Sequence, residues 1–363
     1  MSEPDAASRG LRVVVVGATG NVGSSLVQTL SQDSRVASVL GLARRLPDWP
    51  LDRTAWARVD LSTGSVAEAD LTGYFRAADA VVHLGWLMQP THDPLTTWRT
   101  NVLGTVRVLN AVAAAGVPAL IHASSVGAYS PGPKDRPVTE SYPTHGWPQA
   151  AYTREKAYLE RVLDIFARDH PRTRVVRMRP GFIFKRESAM QQRRLFMGPL
   201  LPHRLVRSSL LPFVPDLPGL RLQVLHTSDA ADAYRQAVVR DVRGAFNVAA
   251  GPVVDAEMLA RILGARTVPV YRPLVRGAVA AAWHARLLPA SPQLFDAMVR
   301  MPVMDTTRAM DELGWSPRYT AEETLTEFLH GLREGAGMDT PTLTARLPGG
   351  RLKEMATGVG GRD

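Results

Sequence analysis

The feature that most constrains the fold of this chain is a short apolar run that stops abruptly at glycine. Residues 11–16 are leucine, arginine and four valines, and a β-branched run of this length is typical of a buried parallel strand. A glycine-rich turn and a helical pattern over residues 21–31 follow directly. Glycines in this place let the backbone turn tightly and approach a pyrophosphate, and the helix N-terminus supplies amide donors. We therefore predict a dinucleotide-binding turn made of Gly17, Thr19, Gly20, Asn21, Val22 and Gly23.

Segments typical of strands and helices alternate along most of the chain. After the first strand, apolar runs lie at 36–43, 57–61, 80–84, 118–123, 174–178 and 245–249. Helical patterns lie at 66–77, 93–115, 152–169 and 226–240. Strands that alternate with helices at this spacing predict an α/β fold, namely a Rossmann-type doubly wound parallel sheet.

The alternation stops in two regions, which we assign to a second lobe. Residues 184–222 are rich in Leu, Pro and Arg without sheet-like regularity, and most of 253–332 has a helical pattern. We predict a dinucleotide-binding Rossmann domain over 11–183, to which 223–250 returns. The predicted smaller, mainly helical C-terminal substrate lobe consists of 184–222 and 251–332. Residues 1–10 and 334–363 are expected to be flexible tails.

Composition excludes several kinds of site. The 363 residues contain no cysteine, which excludes disulfides, thiolate-held zinc and cysteine nucleophiles, and we predict no metal site. The net charge of +9 comes from scattered arginines that match no nucleic-acid-binding motif, so we expect a phosphorylated cofactor or substrate and no nucleic acid. The N-terminus is polar and no stretch reaches the length of a membrane span, which predicts a cytoplasmic protein.

The end of the second strand bears on the choice of cofactor. An acidic residue there binds the ribose 2′-hydroxyl of NAD, whereas arginine accommodates the 2′-phosphate of NADP. Here Ala43 is followed by Arg44 and Arg45, which favours NADP, with NAD as the alternative. The two arginines are also consistent with an ordinary surface. Asp60 is predicted either to accept a hydrogen bond from the adenine amino group or to cap its turn.

Three side chains form the candidate catalytic group. Tyr152 and Lys156 stand four residues apart on one face of a predicted helix. A neighbouring ammonium and a positive nicotinamide ring would favour the phenolate and bring the tyrosine pKa toward neutrality. Ser125 follows the strand at 118–123, at the carboxyl edge where such sheets bind ligands. Taken alone, the tyrosine and lysine would also fit a surface contact.

From Arg12 to about Pro317 the chain resembles an extended short-chain dehydrogenase/reductase of the NAD-dependent epimerase/dehydratase family. The resemblance rests on motifs in the same order along the chain. They are the glycine turn, Val82-His83-Leu84, Asn101-Val102-Leu103-Gly104-Thr105, Ser124-Ser125, the Tyr152/Lys156 pair, Arg179-Pro180-Gly181, His226-Thr227-Ser228-Asp229, Phe246-Asn247-Val248 and Leu313-Gly314-Trp315-Ser316-Pro317.

The resemblance implies roles for these residues. It makes Tyr152 the acid/base, lets Lys156 hold the nicotinamide ribose, and lets Ser125 orient the reacting oxygen. It also implies a homodimer built from helices 101–115 and 152–169. Asn101 corresponds to a residue near the nicotinamide, or it caps the helix that follows. The further cofactor-binding residues implied by the family are Leu61, Leu84, Gly85, Asn101 and Pro180.

Two departures from the family pattern limit the reaction. Dehydratases of the family carry an acidic pair where this chain has Val126-Gly127, which disfavours dehydration. Ala43 replaces the acidic residue that family epimerases usually keep, which disfavours tightly held NAD and epimerisation. We predict an NAD(P)-dependent oxidoreductase that transfers a hydride between nicotinamide and a carbonyl/alcohol substrate. The alternatives are a nucleotide-sugar epimerase with tightly bound NAD and a non-catalytic NAD(P)-binding sensor.

The substrate is predicted to meet the segments 185–222 and 268–304. Gln191–Arg194 and His203–Arg204 could hold the diphosphate of a nucleotide sugar. The alternative is that a group of apolar side chains lines a pocket for a lipophilic carbonyl compound or faces a membrane surface. The same side chains could equally just pack the second lobe. Those side chains are Leu195, Phe196, Leu200, Leu201, Leu210 and Phe213.

Overall fold

The computed structural model describes residues 10–198, 212–347 and 350. The strands are β1 Leu11–Val16, β2 Val36–Ala43, β3 Thr54–Arg58, β4 Ala80–His83, β5 Ala119–Ala123, β6 Pro137–Val138, β7 Arg174–Pro180, β8 Phe182–Phe184, β9 Phe213–Asp216, β10 Leu222–His226, β11 Gly244–Val248, β12 Ala250–Val254, β13 Arg266–Pro269 and β14 Val303–Met304. The helices are α1 Asn21–Gln32, α2 Ser65–Phe75, α3 Pro94–Trp98, α4 Gly104–Ala115, α5 Ala151–Asp169, α6 Ala189–Gln192, α7 Thr227–Val239, α8 Ala256–Leu263, α9 Arg272–His284, α10 Pro292–Met298, α11 Thr307–Leu313 and α12 Ala321–Glu334.

The central sheet has seven parallel strands in the order β3-β2-β1-β4-β5-β7-β11. The predicted Rossmann-type doubly wound fold is confirmed. Chain order reverses between β1 and β4, where Val13 pairs with Val39 on one side and Ala80 on the other. In such sheets ligands bind at the carboxyl edge beside this switch point. The glycine turn after β1 and the residues that follow β4 and β5 therefore come together at one edge.

Helices cover both faces of the sheet because each carries an apolar stripe. On α1, Leu26, Val27 and Leu30 are fully buried and share one face of the helix. Burial of each such side chain contributes roughly 1.5–3 kcal/mol. Helices α1 and α7 pack together on one face of the sheet, and α2 and α4 on the other.

The helix predicted over 93–115 is interrupted. It begins as α3, where the carboxylate of Asp93 accepts hydrogen bonds from the amides of Leu95 and Thr96, and it passes through a π-helical stretch at Arg99–Leu103 before α4. Gly116 ends α4 in the left-handed conformation, with φ of 65°. The interruption changes the direction in which the side chains of residues 99–103 point, and it therefore affects where the side chain of Asn101 lies.

The C-terminal lobe is mainly helical, as predicted, but it is built on short strands. Strand β10 pairs with β8 in parallel and with β12 antiparallel, and α8 and α12 pack against these strands. Helix α11 and Trp315 instead join the core of the Rossmann domain. The indole nitrogen of Trp315 donates to the backbone oxygen of Asp229, at 2.9 Å. The division into a Rossmann domain (11–183 and 223–250) and a substrate lobe (184–222 and 251–332) stays a prediction. Helix α11 falls within the predicted substrate lobe but packs on the Rossmann domain.

The expectation of a flexible tail does not hold for residues 335–347. Leu343 is fully buried, and its backbone oxygen accepts a hydrogen bond from the amide of Met338. The hydroxyl of Thr340 donates to the backbone oxygen of Thr19 at 3.0 Å. This segment is therefore anchored on the glycine turn, a contact with no signal in local composition. The remaining expected tails, at 1–9, 348–349 and 351–363, lie outside the described residues.

Within residues 10–198 and 212–347, no helix is both long and apolar enough to cross a membrane. The same part of the chain contains no group of three or more His, Asp or Glu side chains arranged to hold a metal ion.

Candidate active site

The glycine turn lines a cavity of about 780 Å³, and its three glycines are there for different reasons. Gly17 has φ of +86°, and a Cβ there would lie 2.7 Å from the amide nitrogen of Gly85. A Cβ on Gly23 would overlap the backbone oxygen of Gly17. Gly20 has ordinary backbone angles and only one neighbour near its Cβ position, Gly17 O at 3.4 Å. Folding does not require glycine at 20, whereas close approach of a pyrophosphate does.

The end of β2 faces the same cavity. Arg44 and Arg45 follow Ala43 directly and both line the cavity. The guanidinium of Arg45 donates to the backbone oxygen of Pro341, in the C-terminal segment, at 3.2 Å. These residues fit the phosphorylated ribose of a dinucleotide, since they place two cations at a strand end that has no carboxylate.

Asp60 lies two residues beyond β3, because that strand is Thr54–Arg58 rather than the predicted 57–61. Its carboxylate accepts hydrogen bonds from the amide and the hydroxyl of Ser62, at 2.9 and 2.7 Å. Asp60 therefore caps its turn while also lining the cavity. The other cavity-lining residues predicted for the cofactor are Leu61, Leu84, Gly85 and Pro180.

Asn101 is placed away from the cavity lining, although Thr100 belongs to it. Its amide group exchanges two hydrogen bonds with the backbone of Leu87 and donates to the carboxylate of Glu155 at 2.7 Å. The π-helical stretch turns Asn101 inward, where it is 1% exposed. Asn101 therefore caps no helix and does not line the cavity, and its place near the nicotinamide stays a prediction. It ties the loop after β4 to α5.

Ser125, Tyr152 and Lys156 come together beneath this loop. The hydroxyl of Tyr152 donates to Ser125 Oγ at 2.8 Å, and Ser125 Oγ also accepts from the amide of Gly127 at 3.0 Å. One helical turn beyond Tyr152, the ammonium of Lys156 donates to the backbone oxygen of Ala123 at 2.7 Å. All three side chains line the cavity that the glycine turn lines.

Helix α5 is held in place by a buried ion pair. The carboxylate of Glu160 accepts two hydrogen bonds from Arg179 of β7, at 3.0 and 2.8 Å, and one from Ser124 at 2.6 Å. Burial alone would raise the pKa of Glu160, but the hydrogen bonds and charge of Arg179 hold it at about 2. The helix that carries Tyr152 and Lys156 is therefore tied to both β5 and β7.

Burial dominates the electrostatics of the catalytic group. It raises the pKa of Tyr152 above its ordinary value, and the hydrogen bond with Ser125 opposes this only in part. It lowers the pKa of Lys156 to about 7. Burial therefore shifts the tyrosine pKa away from neutrality, and the effect of a positively charged nicotinamide ring on it stays a prediction. A tyrosine with this pKa is protonated at neutral pH.

Sequence analysis missed two contributors to the site. Trp86 lines the cavity, with the ammonium of Lys156 3.4 Å from its ring centroid and the Tyr152 ring edge-on at 5.7 Å. Its position directly after Gly85, at the end of β4, was a usable signal. Pro341 and Thr342 of the C-terminal segment also line the cavity, and they lie too far along the chain for any local pattern to indicate this.

The residues predicted to meet the substrate divide into three groups. Gln191, Gln192, Arg194, Leu195 and Phe196 line the cavity. Phe213, which is 60% exposed, does not, and neither does Arg193, which is buried and donates to the backbone oxygen of Gly198 instead of reaching the substrate region as predicted. Leu200, Leu201, His203, Arg204 and Leu210 lie outside the described residues.

The NAD dependent epimerase/dehydratase family model matches residues 13–249. The chain belongs to this family. Membership confirms the family resemblance found in the motifs.

Known relatives agree with this assignment. An uncharacterized protein of Mycobacterium tuberculosis is 26% identical over 337 residues, which are 92% of this chain but 31% of that protein. The chain thus spans about a third of the length of the first curated relatives it matches. A UDP-glucose 4-epimerase of Mycolicibacterium smegmatis is 26% identical over 338 residues, covering 89% of this chain and 99% of that enzyme.

Solved structures share the fold. MoeE5 in complex with UDP-glucuronic acid and NAD superposes with a TM-score of 0.66 at 23% identity, covering 89% of this chain and 99% of MoeE5. The UDP-glucose 4-epimerase of Thermus thermophilus, in complex with NAD, superposes with a TM-score of 0.65 at 20% identity and the same coverage. At these identities the likeness concerns the fold alone.

The different roles of the glycines can be separated by substitution. We expect Gly20→Ala to weaken dinucleotide binding roughly tenfold or more, a loss of about 1.4 kcal/mol, because its methyl group occupies the approach to the turn. The free energy of unfolding should fall by no more than about 1 kcal/mol. Calorimetric titration and chemical denaturation measure the two effects. In the matched variant Gly23→Ala, stability should fall as well. Wild-type affinity in Gly20→Ala would contradict the assignment of the turn.

Proposed function

We propose that the protein transfers a hydride reversibly between NADP(H) and a carbonyl/alcohol substrate. The observation that carries this proposal is the hydrogen bond between the Tyr152 hydroxyl and Ser125 Oγ, at 2.8 Å, inside the cavity that the glycine turn lines. When bound, the nicotinamide supplies or accepts the hydride. The chain supplies orientation of the substrate and movement of a proton.

The two hydroxyl groups converge on one place where a substrate oxygen can be held. Ser125 Oγ is fixed by the amide of Gly127 and orients the oxygen. Tyr152, protonated at neutral pH because burial raises its pKa, donates its proton to that oxygen during reduction and recovers it during oxidation. Lys156, held against β5, is placed to bind the nicotinamide ribose.

The geometry disfavours dehydration, which needs a carboxylate beside the reacting carbon. A Cβ on Gly127 would lie 2.8 Å from the Tyr152 ring, so an acidic side chain there would displace the tyrosine. Among the described residues that line the cavity, Asp60 is the single carboxylate, and it lies beyond β3 and caps its own turn. No carboxylate among these residues is therefore placed to act as the acid, and we assign that role to Tyr152.

Removal of the phenol hydroxyl tests the role of Tyr152. We expect Tyr152→Phe to lower kcat by about 10²–10⁴ with NADPH and a panel of aldehydes and ketones, because the general acid is lost. Nicotinamide absorbance measures the rate. Tyr271→Phe is the matched control, since Tyr271 is 70% exposed and does not line the cavity. Unchanged turnover in Tyr152→Phe would remove this residue from the mechanism. Tight cofactor binding by the wild type without any turnover would favour the alternative of a non-catalytic NAD(P)-binding sensor.

The arginines after β2 are expected to select NADP(H). We expect the protein to bind NADPH about tenfold more tightly than NADH, since hydrogen bonds to a charged phosphate are strong. The double variant Arg44→Ala/Arg45→Ala should lose this preference and keep its NADH affinity. Arg76→Ala, an exposed arginine outside the cavity, is the control. Fluorescence titration measures the affinities.

The alternative is a nucleotide-sugar epimerase, which the likeness to the Mycolicibacterium smegmatis enzyme favours. An epimerase recycles its cofactor in place. Near-stoichiometric NAD released on denaturation of the purified protein, identified by mass spectrometry, would support the epimerase and overturn the role given to Arg44 and Arg45.

We also propose a homodimer through α4 and α5. Side chains on this surface are apolar yet exposed: Leu103 is 40%, Tyr158 47% and Ile165 52% exposed. We expect Ile165→Lys to shift the protein from dimer to monomer in sedimentation velocity, because a buried unpaired ammonium opposes association. Val66→Lys on α2, where Val66 is 63% exposed, should have no effect. A wild-type monomer would overturn the proposal.

A further inference from the structure

The cavity extends well past the residues that fit a dinucleotide. Beyond Tyr152 its walls are formed by the loop after β4, by β8, by residues 195–197, and by α9 and α10 with the residues beside them. The side chains that these segments contribute are mostly aromatic or aliphatic. Six that illustrate this are Trp86, Phe182, Leu294, Phe295, Met298 and Met301.

These walls adjoin the reacting group directly. Trp86 contacts both Tyr152 and Lys156. Met301 and Tyr152 both adjoin Gly127, since a Cβ on Gly127 would lie 2.8 Å from the Tyr152 ring and 3.3 Å from Met301 Cε. A substrate whose oxygen lies at Tyr152 would therefore place the rest of its body among apolar side chains.

Hydrogen bonds join the loop after β4 to the helical lobe. The amide nitrogen of Gln89, which lines the cavity and is 5% exposed, donates to the backbone oxygen of Leu195 at 2.6 Å. Outside the cavity lining, the hydroxyl of Thr91 donates to the backbone oxygen of Pro289 at 2.7 Å, and it accepts from the indole nitrogen of Trp283. Among the described lining residues, the buried Trp86 Nε1 and Gln191 Oε1 have no hydrogen-bond partner, so the wall can also receive an isolated neutral polar group of a ligand.

Charge is distributed unequally along the cavity. Among the described lining residues, the cations other than Lys156 are Arg44, Arg45 and Arg194. The first two follow β2, and Arg194 donates to the backbone oxygen of Thr342, beside Thr19 of the glycine turn. All three thus lie at the cofactor end.

Two arginines near α10 do not alter this distribution. Arg276 and Arg300 both pair with Asp296, at 2.7 and 3.4 Å, and neither lines the cavity. Gln191 and Gln192 add neutral amides. A diphosphate carries two negative charges, and burying them without a cation is strongly unfavourable. The described part of the substrate end therefore matches an apolar compound much better than a nucleotide sugar.

We propose that the substrate is a lipophilic ketone or secondary alcohol, with its oxygen at Ser125 and Tyr152 and its hydrocarbon body between Trp86 and α10. This inference rests on the proposed function, because it names the substrate class of that same site. In reduction the carbonyl carbon gains the hydride of NAD(P)H, and the oxygen gains the Tyr152 proton. NAD(P)⁺ and the alcohol are the products, and the Tyr152 phenolate regains a proton from solvent before the next turnover.

The test measures binding separately from turnover. The probes are butanone, octanone and dodecanone, titrated into Tyr152→Phe protein saturated with NADPH, with UDP and UDP-glucose as competitors. We expect affinity to rise about threefold to fourfold for each methylene that enters the cavity. The two uridine nucleotides should not displace dodecanone. Affinity independent of chain length, no binding of any ketone, or displacement by UDP would overturn the proposal.

Substitution of a side chain that lines the cavity tests where the hydrocarbon body of the ketone binds. Met298→Gln keeps the length of the side chain but adds an amide, so it should reduce the gain per methylene and leave butanone binding unchanged. Met298→Leu, which remains apolar, should retain the gain. Leu274→Gln is the control, since Leu274 is 69% exposed on α9. An equal gain per methylene in Met298→Gln would place the hydrocarbon elsewhere and overturn the proposed binding mode.

Turnover by the wild type tests the proposed hydride transfer separately from the proposed lipophilic substrate. Chain-length-dependent binding without any hydride transfer would retain the lipophilic site and refute the proposed function. Turnover of UDP-sugars with ketones unbound would retain hydride chemistry and refute the lipophilic substrate.

Discussion

The buried contact between Glu160 and Arg179 is the interaction on which the geometry of the site depends. Glu160 is on α5, one turn after Lys156, and it meets β7 through Arg179 and β5 through Ser124. A carboxylate in this setting is stable only while its donors are present, and loss of one partner of a buried ion pair is strongly destabilising. These contacts fix the position of α5 on the sheet. In that position the Tyr152 hydroxyl reaches Ser125.

The cavity combines two environments that differ in charge. At one end, backbone amides of the glycine turn and the cations after β2 suit a phosphorylated cofactor. At the other, Trp86, Met298 and Met301 offer no charge to an anion. The catalytic hydroxyls lie where the two environments meet. Two segments distant from each other in sequence, the loop after β4 and residues 335–347, cover opposite ends of the same cavity.

Much of the fold and part of the site could be predicted because the signals are local. The bounds of β1 and β2, the order of strands and helices, and the four-residue spacing of Tyr152 and Lys156 are all properties of short windows of sequence. The rest depended on packing. Asn101 lies inward because a π-helical stretch interrupts its helix. The pKa of Tyr152 is raised by burial, and burial depends on packing that the neighbouring lysine in the sequence does not reveal.

By itself the sequence determined a doubly wound sheet and indicated a dinucleotide-binding turn on it, since glycine spacing and strand periodicity act through the backbone and need no distant partner. Only the tertiary structure decided what the cavity accepts. The wall beside Tyr152 is assembled from the loop after β4, from β8 and from α10, and the C-terminal segment lies on Thr19 more than 300 residues away in sequence. The physical reason is that a pocket's polarity is a property of surfaces brought together from remote segments, and each of those segments alone shows only ordinary core residues.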